Sequence, residues 1–345
     1  LLVIGGTRFL GRHFVQQALD AGHEVTLMHR GRSHPGLFPQ AEALIADRDG
    51  DLSVLADGRW DVAIDTCAYF PRQVRALAAV LAGRVGRYQL VSSISAYAAL
   101  DRPGTDEDAP LATLDDPTVE TITGATYGGL KALCEQAAID GFGTARTLIV
   151  RPGLIVGPHD PTGRYTWWIE RLLRAQPGDE VIAPGDPAGP VQCIDARDLA
   201  AWMLKQAADG TCGACNFTGP ISPTTMGAWL GTVRDTLAPQ ARLEWVDEPF
   251  LLAQGVAPWM DLPLWLPVAQ SALHQVSIAR ALATGLQCRG AAETAADTAA
   301  WLAAASAQAG TAPTGTAEGP PRPAVGLPPE REAALLAAWH ARPAG

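Results

Sequence analysis

Through the first half of the chain, short apolar runs alternate with segments whose apolar positions recur at helical spacing. "LLVI", "EVTLM", "EALIA", "DVAID", "YQLVS" and "ARTLIVRP" read as strands, while the segment after Gly11, "VRALAAVLA" and "LKALCEQAAID" read as helices. That alternation predicts an α/β fold, a doubly wound parallel sheet with helices on both faces. From about Gly157 the pattern changes to short strands, prolines and tryptophans, with one return to strand-then-helix at "VQCIDARDLAAWMLKQA". The change predicts a smaller, interleaved C-terminal lobe. The first domain is expected over 1–157 with a return segment at about 190–218, and the second lobe over 158–189 and 219–305. Residues 306–329, rich in Ala, Gly, Pro and Thr, read as an exposed linker. Residues 330–345 read as a helix entered through Pro328 and Pro329, with Glu330 and Glu332 in its first turn, docking by Leu335, Leu336 and Trp339.

Composition narrows the class. The chain has 345 residues, 48% hydrophobic and 18% charged, which suits a soluble globular protein with a sizeable core. A net charge of -10 speaks against phosphate-backbone binding, which depends on clustered Lys and Arg. Six scattered cysteines need no disulfides in a chain this long, so a reducing cytoplasm is the expected compartment. The one close pair, Cys212 and Cys215, lies in a run that reads as a strand leaving the core rather than a zinc or redox motif. No leader is read at Leu1, and the long uncharged stretch from Gly210 to Val233 is broken by Gly and Pro, so no membrane span is expected.

Two short stretches carry chemistry. "LLVIGGTRFLGRHF" runs strand, glycine turn, helix, with Gly5, Gly6 and Gly11 in a reduced form of the pattern that sets backbone against a pyrophosphate. The same small residues also suit a plain strand-to-helix turn. In "TYGGLK", Tyr127 and Lys131 stand four apart and share a helix face. A phenol with an ordinary pKa of about 10 is a poor base at neutral pH, and a neighbouring ammonium favours its ionised form. Upstream, "YQLVSSISAYA" ends a strand on Ser92, Ser93 and Ser95.

The glycine turn, "VSSISAY", "YGGLK" and "RPGLIVGP", in that order over roughly residues 1 to 300, resemble the short-chain dehydrogenase/reductase superfamily in its extended, epimerase/dehydratase branch. "GGTRFLGRH", "HEVTLMHRG" and "DRDGDL" are similar to the atypical group that includes the chloroplast stem-loop-binding proteins. The resemblance implies a Rossmann-type sheet and an enzyme working with NAD or NADP. Tyr127 would be the general acid/base, Lys131 would hold the nicotinamide ribose and depress the tyrosine pKa, and Ser93 would hydrogen-bond the reacting oxygen. Cofactor contacts are expected from Gly5, Gly6, Thr7, Arg8, Phe9, Leu10, Gly11, Arg30, Asp47, Arg48, Cys67 and Lys131. Arg8 either adds charge beside the phosphates or is solvated on a loop tip, and Asp47 would cap the adenine amino group. Arg30 stands where NAD-preferring members carry an acid, so NADP is favoured over NAD unless the guanidinium stacks on adenine and accepts either.

Departures from the family pattern limit the substrate. Ile94 and Ser95 replace the Asp-Glu pair of sugar dehydratases, and Leu154 and Val191 stand where binders of nucleotide sugars carry Asn and Arg. Tyr69, Tyr97, His159, Arg164, Trp168 and Gln192 are the expected substrate contacts, with the tryptophans either lining a pocket or packing under a loop. The expected activity is NADP-dependent hydride transfer with a small, largely apolar carbonyl or alcohol. An epimerase that retains its cofactor, and an RNA-binding or non-catalytic nucleotide-sensing protein of the same fold, are the alternatives. The expected partner is a small molecule, with no nucleic acid, membrane or metal, and related enzymes dimerise through the helix bearing the catalytic tyrosine, so a homodimer is compatible with the sequence.

Overall fold

The apolar runs form β1 (Leu2–Ile4), β2 (Thr26–His29), β3 (Glu42–Ile45), β4 (Trp60–Asp65), β5 (Val85–Val91) and β6 (Thr147–Pro152), joined by a seventh strand, Gly213–Phe217. The computed structural model in which they lie describes residues 1–34, 36–309 and 325–342. All seven strands pair in parallel, in the order Gly213–Phe217, β6, β5, β4, β1, β2, β3. This is a Rossmann-like sheet. The interior strand β1 is buried throughout, because a parallel sheet is covered on both faces. At the sheet edge, β3 is exposed at Glu42 and at Ile45.

Alternation along each strand divides the interior into two layers. Val3, Leu27, Ile64 and Val150 face one cluster with Phe14 and Val15 of helix α1 (Phe9–Asp20) and with Leu199 and Met203 of the helix Ala196–Asp209. Leu2, Ile4, Met28 and Leu90 face the other, with Val74, Leu77 and Leu81 of α2 (Pro71–Leu81) and Ala137, Ala138 and Phe142 of α3 (Tyr127–Phe142). The chain runs from β1 outward to β2 and β3, then crosses back to β4 on the other side of β1. That reversal places the ends of β1 and β4 at the switch point where open α/β sheets bind ligands.

The chain divides into two compact units: 1–155, 193–221 and 276–288 form the first, and 156–192, 222–275 and 289–345 the second. The segment 276–288 was expected in the second lobe but returns to the first unit. Ser277 N donates to Thr105 O at 2.9 Å, and Asn216 Nδ2 donates to Ser277 O at 3.1 Å, pairing backbone groups that burial would otherwise leave unsatisfied.

In the second unit, strands Glu180–Pro184 and Arg242–Val246 pair in parallel. The helix Ala291–Ala309 continues past 305, so the expected linker is helical at its start, while 310–324 lie outside the described residues. The last helix spans Pro329–His340, and 343–345 also lie outside. It docks by Leu335, as expected, and by a residue that the apolar pattern did not single out: buried Glu332 accepts from Arg171 Nε at 2.5 Å and from Ile182 N at 3.2 Å. No described helix is long and apolar enough to cross a membrane.

Candidate active site

The chain leaves β1 through Gly5 and Gly6, at φ 98° and 86°. A Cβ on Gly5 would stand 2.6 Å from Thr66 Oγ1, and a Cβ on Gly11 would stand 2.8 Å from the Gly6 Cα. The three glycines therefore let β1 pass directly into α1. Arg8, the residue before α1, offers no side-chain cap, and the first helical turn has no acidic residue. The orphan N–H groups from Phe9 and Leu10 onward thus remain available to an anion, as a pyrophosphate site requires. Arg8 is exposed at this helix start and Thr7 is buried.

Tyr127 is the first residue of α3, and Lys131 follows one turn later on the same face. The glycine after Tyr127 brings the helix against the loop beyond β5, since a Cβ on Gly128 would lie 2.2 Å from Ser95 O. Ser93 sits in that loop, its Oγ accepting from Ser95 N at 3.1 Å. Burial pushes the Tyr127 phenol above its ordinary pKa, and hydrogen bonding with Ser93 draws it back. Lys131 was expected to do this, but its buried Nζ is held by two backbone carbonyls, Ala68 O at 2.9 Å and Val91 O at 2.7 Å. The Tyr69 ring lies 5.8 Å from the same Nζ. Tyr69 is 44% exposed as a residue, yet desolvation of its hydroxyl raises the phenol, and Lys131 and Arg8 oppose that rise while Tyr127 adds to it. Ser93, Tyr127, Lys131 and Tyr69 are therefore brought together.

At the end of β4, Asp65 is fully buried and takes a bidentate grip from Arg48, Nη1 to Oδ1 at 2.8 Å and Nη2 to Oδ2 at 2.9 Å. Tyr88 Oη donates to the same carboxylate at 2.8 Å, and Cys67 N at 3.1 Å. Arg48 also reaches Cys67 Sγ at 3.3 Å. Burial would raise the Asp65 carboxyl, yet Arg48 and these donors hold it below the ordinary carboxylate range. Burial raises the Cys67 thiol, which stays protonated at neutral pH. Asp47 is exposed just after β3, accepting from Asp49 N, and Arg30 is exposed just after β2. Arg30 and its neighbour Arg32 form no ion pair among the described residues.

Two expected substrate contacts are corrected. Tyr97 is buried, its Oη donating to Asn216 Oδ1 at 2.6 Å and accepting from Arg151 Nη1 at 3.0 Å, so its hydroxyl belongs to an internal network. Trp168 is fully buried in the second unit, its Nε1 donates to Pro263 O at 2.7 Å, and Trp167 and Trp229 pack edge-on against it. Trp167 and Trp265 are buried as well, so the packing alternative holds for these three rings. His159, Arg164 and Gln192 also lie in the second unit: His159 packs 5.1 Å from the Trp301 ring, Arg164 lies 5.7 Å over Trp259, and Gln192 N donates to His274 Nδ1. Sequence reasoning missed Glu135, Arg151, Asn216 and Asp65. A charged residue inside an otherwise apolar strand was the available signal for Arg151 and Asp65.

The family description NAD dependent epimerase/dehydratase matches residues 1–214. The chain belongs to this family. It is thus an enzyme of a nicotinamide-dependent kind. A comparison with curated proteins finds no match. Among solved structures, the human epimerase family protein SDR39U1 (isoform 2) with NADPH shares 21% identity and a TM-score of 0.58, over 87% of this chain and 98% of that one. TunA, an NAD dependent NDP-hexosamine 5,6-dehydratase of tunicamycin biosynthesis, shares 17% identity with a TM-score of 0.63, over 88% and 97%. The Bordetella bronchiseptica enzyme WbmH in complex with NAD+ shares 16% identity with a TM-score of 0.59, over 88% and 97%. At these identities the likeness concerns the fold.

Proposed function

We propose that this enzyme uses NADP(H) to interconvert a carbonyl and a carbinol carbon on a small substrate that carries no nucleoside diphosphate. The observation that carries the reading is the pairing of Tyr127 with Ser93 beside Lys131. Bound NADPH supplies the hydride. Tyr127, kept protonated by burial, gives its phenolic proton to the carbonyl oxygen, which Ser93 orients. An ammonium has three donors, and Lys131 commits two of them to Ala68 and Val91, leaving one for the nicotinamide ribose. The uncapped start of α1 and Arg8 suit the pyrophosphate, and Asp47 suits the adenine amino group. Arg30, exposed and without an acidic partner among the described residues, suits a 2′-phosphate.

Leu154 and Val191 support the restriction on substrate, because neither offers the amide or guanidinium that would offset the desolvation of a diphosphate. With Trp167, Trp168 and Trp265 in the core, an apolar substrate rests on these two positions alone. Family membership favours a second reading, an epimerase that retains its cofactor and returns the hydride to the opposite face. Two measurements separate the readings: NADPH consumption with a panel of small ketones and aldehydes, and calorimetric titration with UDP and dTDP. Consumption of NADPH without binding of either nucleotide is expected. Micromolar binding of UDP or dTDP, with cofactor retained through purification and no net consumption, would put the epimerase first.

A further inference from the structure

Ser92 immediately precedes Ser93, and it is buried where Ser93 is not. Its N donates to Val150 O on β6 at 2.6 Å, and its Oγ donates to Glu135 Oε1 at 2.5 Å. Glu135 is one turn along α3 from Lys131 and two from Tyr127. Its two oxygens also take a bidentate grip from Arg151 of β6, Nε to Oε1 at 3.0 Å and Nη2 to Oε2 at 2.7 Å. The remaining Arg151 donor, Nη1, bonds Tyr97 Oη at 3.0 Å and Glu107 O at 3.3 Å. One carboxylate thus joins the helix that carries Tyr127 and Lys131, the strand end that carries Ser93, and the neighbouring strand.

Stability alone is a weak reason for such a pair, because well-packed apolar residues often replace a buried ion pair at no cost. What ionic hydrogen bonds add is direction. Apolar contacts tolerate a sliding helix, whereas a carboxylate shared by a hydroxyl and a guanidinium fork does not.

We propose that Glu135, Ser92 and Arg151 form a positioning clamp that sets the register of α3 against the end of β5, and so holds Ser93 at the Tyr127 phenol. The inference rests on the reading of Ser93 and Tyr127 as the working pair. Glu135 and Ser92 are positioning residues, since neither touches the reacting groups. Ser93 Oγ already accepts from Ser95 N, so its own O–H is the group whose direction the clamp controls.

The test reads the pair without a substrate. In protein labelled at the tyrosine Cζ carbons, with the Tyr127 resonance assigned through Tyr127→Phe, the Cζ shift at a fixed neutral pH reports the hydrogen bond to the phenol. Ser93→Ala defines the shift for loss of that bond. Ser92→Ala is expected to move the resonance in the same direction and no further, and the double variant is expected to match Ser93→Ala alone, because the two changes act on one hydrogen bond. Glu135→Gln should move the resonance likewise, and Ser92→Ala keeps the test open if Glu135→Gln fails to fold. NADPH affinity should be unchanged in Ser92→Ala. A resonance that Ser93→Ala moves and Ser92→Ala leaves in place, even with a lowered Tm, overturns the clamp alone. A resonance that Ser93→Ala does not move overturns the pair itself, and the clamp with it.

Discussion

The two units organise their interiors with different chemistry. In the first, charges are buried at the ends of β4 and β6, Asp65 with Arg48 and Arg151 with Glu135, and each pair is bidentate. In the second lie all of the chain's 10 tryptophans except Trp60 and Trp202, and Trp168 is the centre of the aromatic packing. Ionic hydrogen bonds fix direction and aromatic packing fills volume. The directional device is concentrated where the proposed chemistry needs groups held at an angle. In the second unit, buried Glu332 and Arg171 use the same device to fasten the last helix.

The comparison breaks most sharply at the proposed acid. Tyr127→Phe keeps the ring and removes the proton, so turnover should fall by about 10²–10⁴-fold while NADPH affinity stays within a few-fold. Near-full activity would remove the first unit's claim to the chemistry.

Two core substitutions come next and should differ in their response to pH. Arg48→Met leaves the Asp65 carboxylate buried without its ionic partner, and a loss of about 3–5 kcal/mol is expected at neutral pH. Asp65 titrates below the ordinary carboxylate range in the folded protein, so its contribution is present above the unfolded pKa and is lost as pH falls through the folded one. The gap between wild type and Arg48→Met should therefore narrow in acid. Trp168→Ala should cost a similar amount, about 3–5 kcal/mol, through the cavity it leaves. No titratable group takes part in that loss, so it should not change with pH. Urea unfolding of the three proteins at neutral and acid pH checks both statements.

The same contrast explains what the sequence made legible. Glycine spacing, the Tyr127–Lys131 interval and the serines after β5 are local patterns, and local geometry placed them as expected. Glu135 and Arg151 are 16 positions apart and meet only because α3 packs beside β6, which no periodicity encodes. The carbonyls that hold Lys131 were not legible either: a buried ammonium takes the nearest strong acceptors, here Val91 O at the end of β5 and Ala68 O in the loop after β4. Trp168 was misplaced because an aromatic residue in a helix reads alike whether it faces ligand or core. Val276–Cys288 returned to the first unit through contacts between residues far apart in sequence, Ser277 N on Thr105 O, Asn216 Nδ2 on Ser277 O and Arg280 on Asp108, which no local pattern announces.

A smaller effect separates a cofactor contact from a fold contact. Arg30 is exposed, so removing its guanidinium should leave folding unchanged and weaken NADPH by on the order of 1–3 kcal/mol, the scale of a charged hydrogen bond. NADH should bind as before. Equal losses for the two cofactors in calorimetry would assign Arg30 to the adenine face instead of the 2′-phosphate.

The smallest effect belongs to the second unit's buried imidazole. His274 is held neutral by its surroundings: Nδ1 accepts from Gln192 N at 3.1 Å, Nε2 faces Leu264 O at 2.8 Å, and burial lowers its pKa from the ordinary 6.5. A second proton would cost the acceptor role of Nδ1, so the unfolded chain binds that proton more readily. Stability from His274 is therefore complete above the ordinary value and declines as pH falls toward the folded one, with a slope of at most about 1.4 kcal/mol per pH unit. His29 of the first unit is also lowered by burial, but it is half-buried and carries less of the effect. Tryptophan fluorescence reports mainly on the second unit, so urea unfolding followed this way should weaken between neutral and mildly acid pH, before Asp65 protonates. In His274→Gln that mild-acid loss should shrink while the stronger acid loss stays. A loss unchanged in His274→Gln would move the mild-acid sensitivity to His29 and the first unit, and the two units would then no longer be separable by pH.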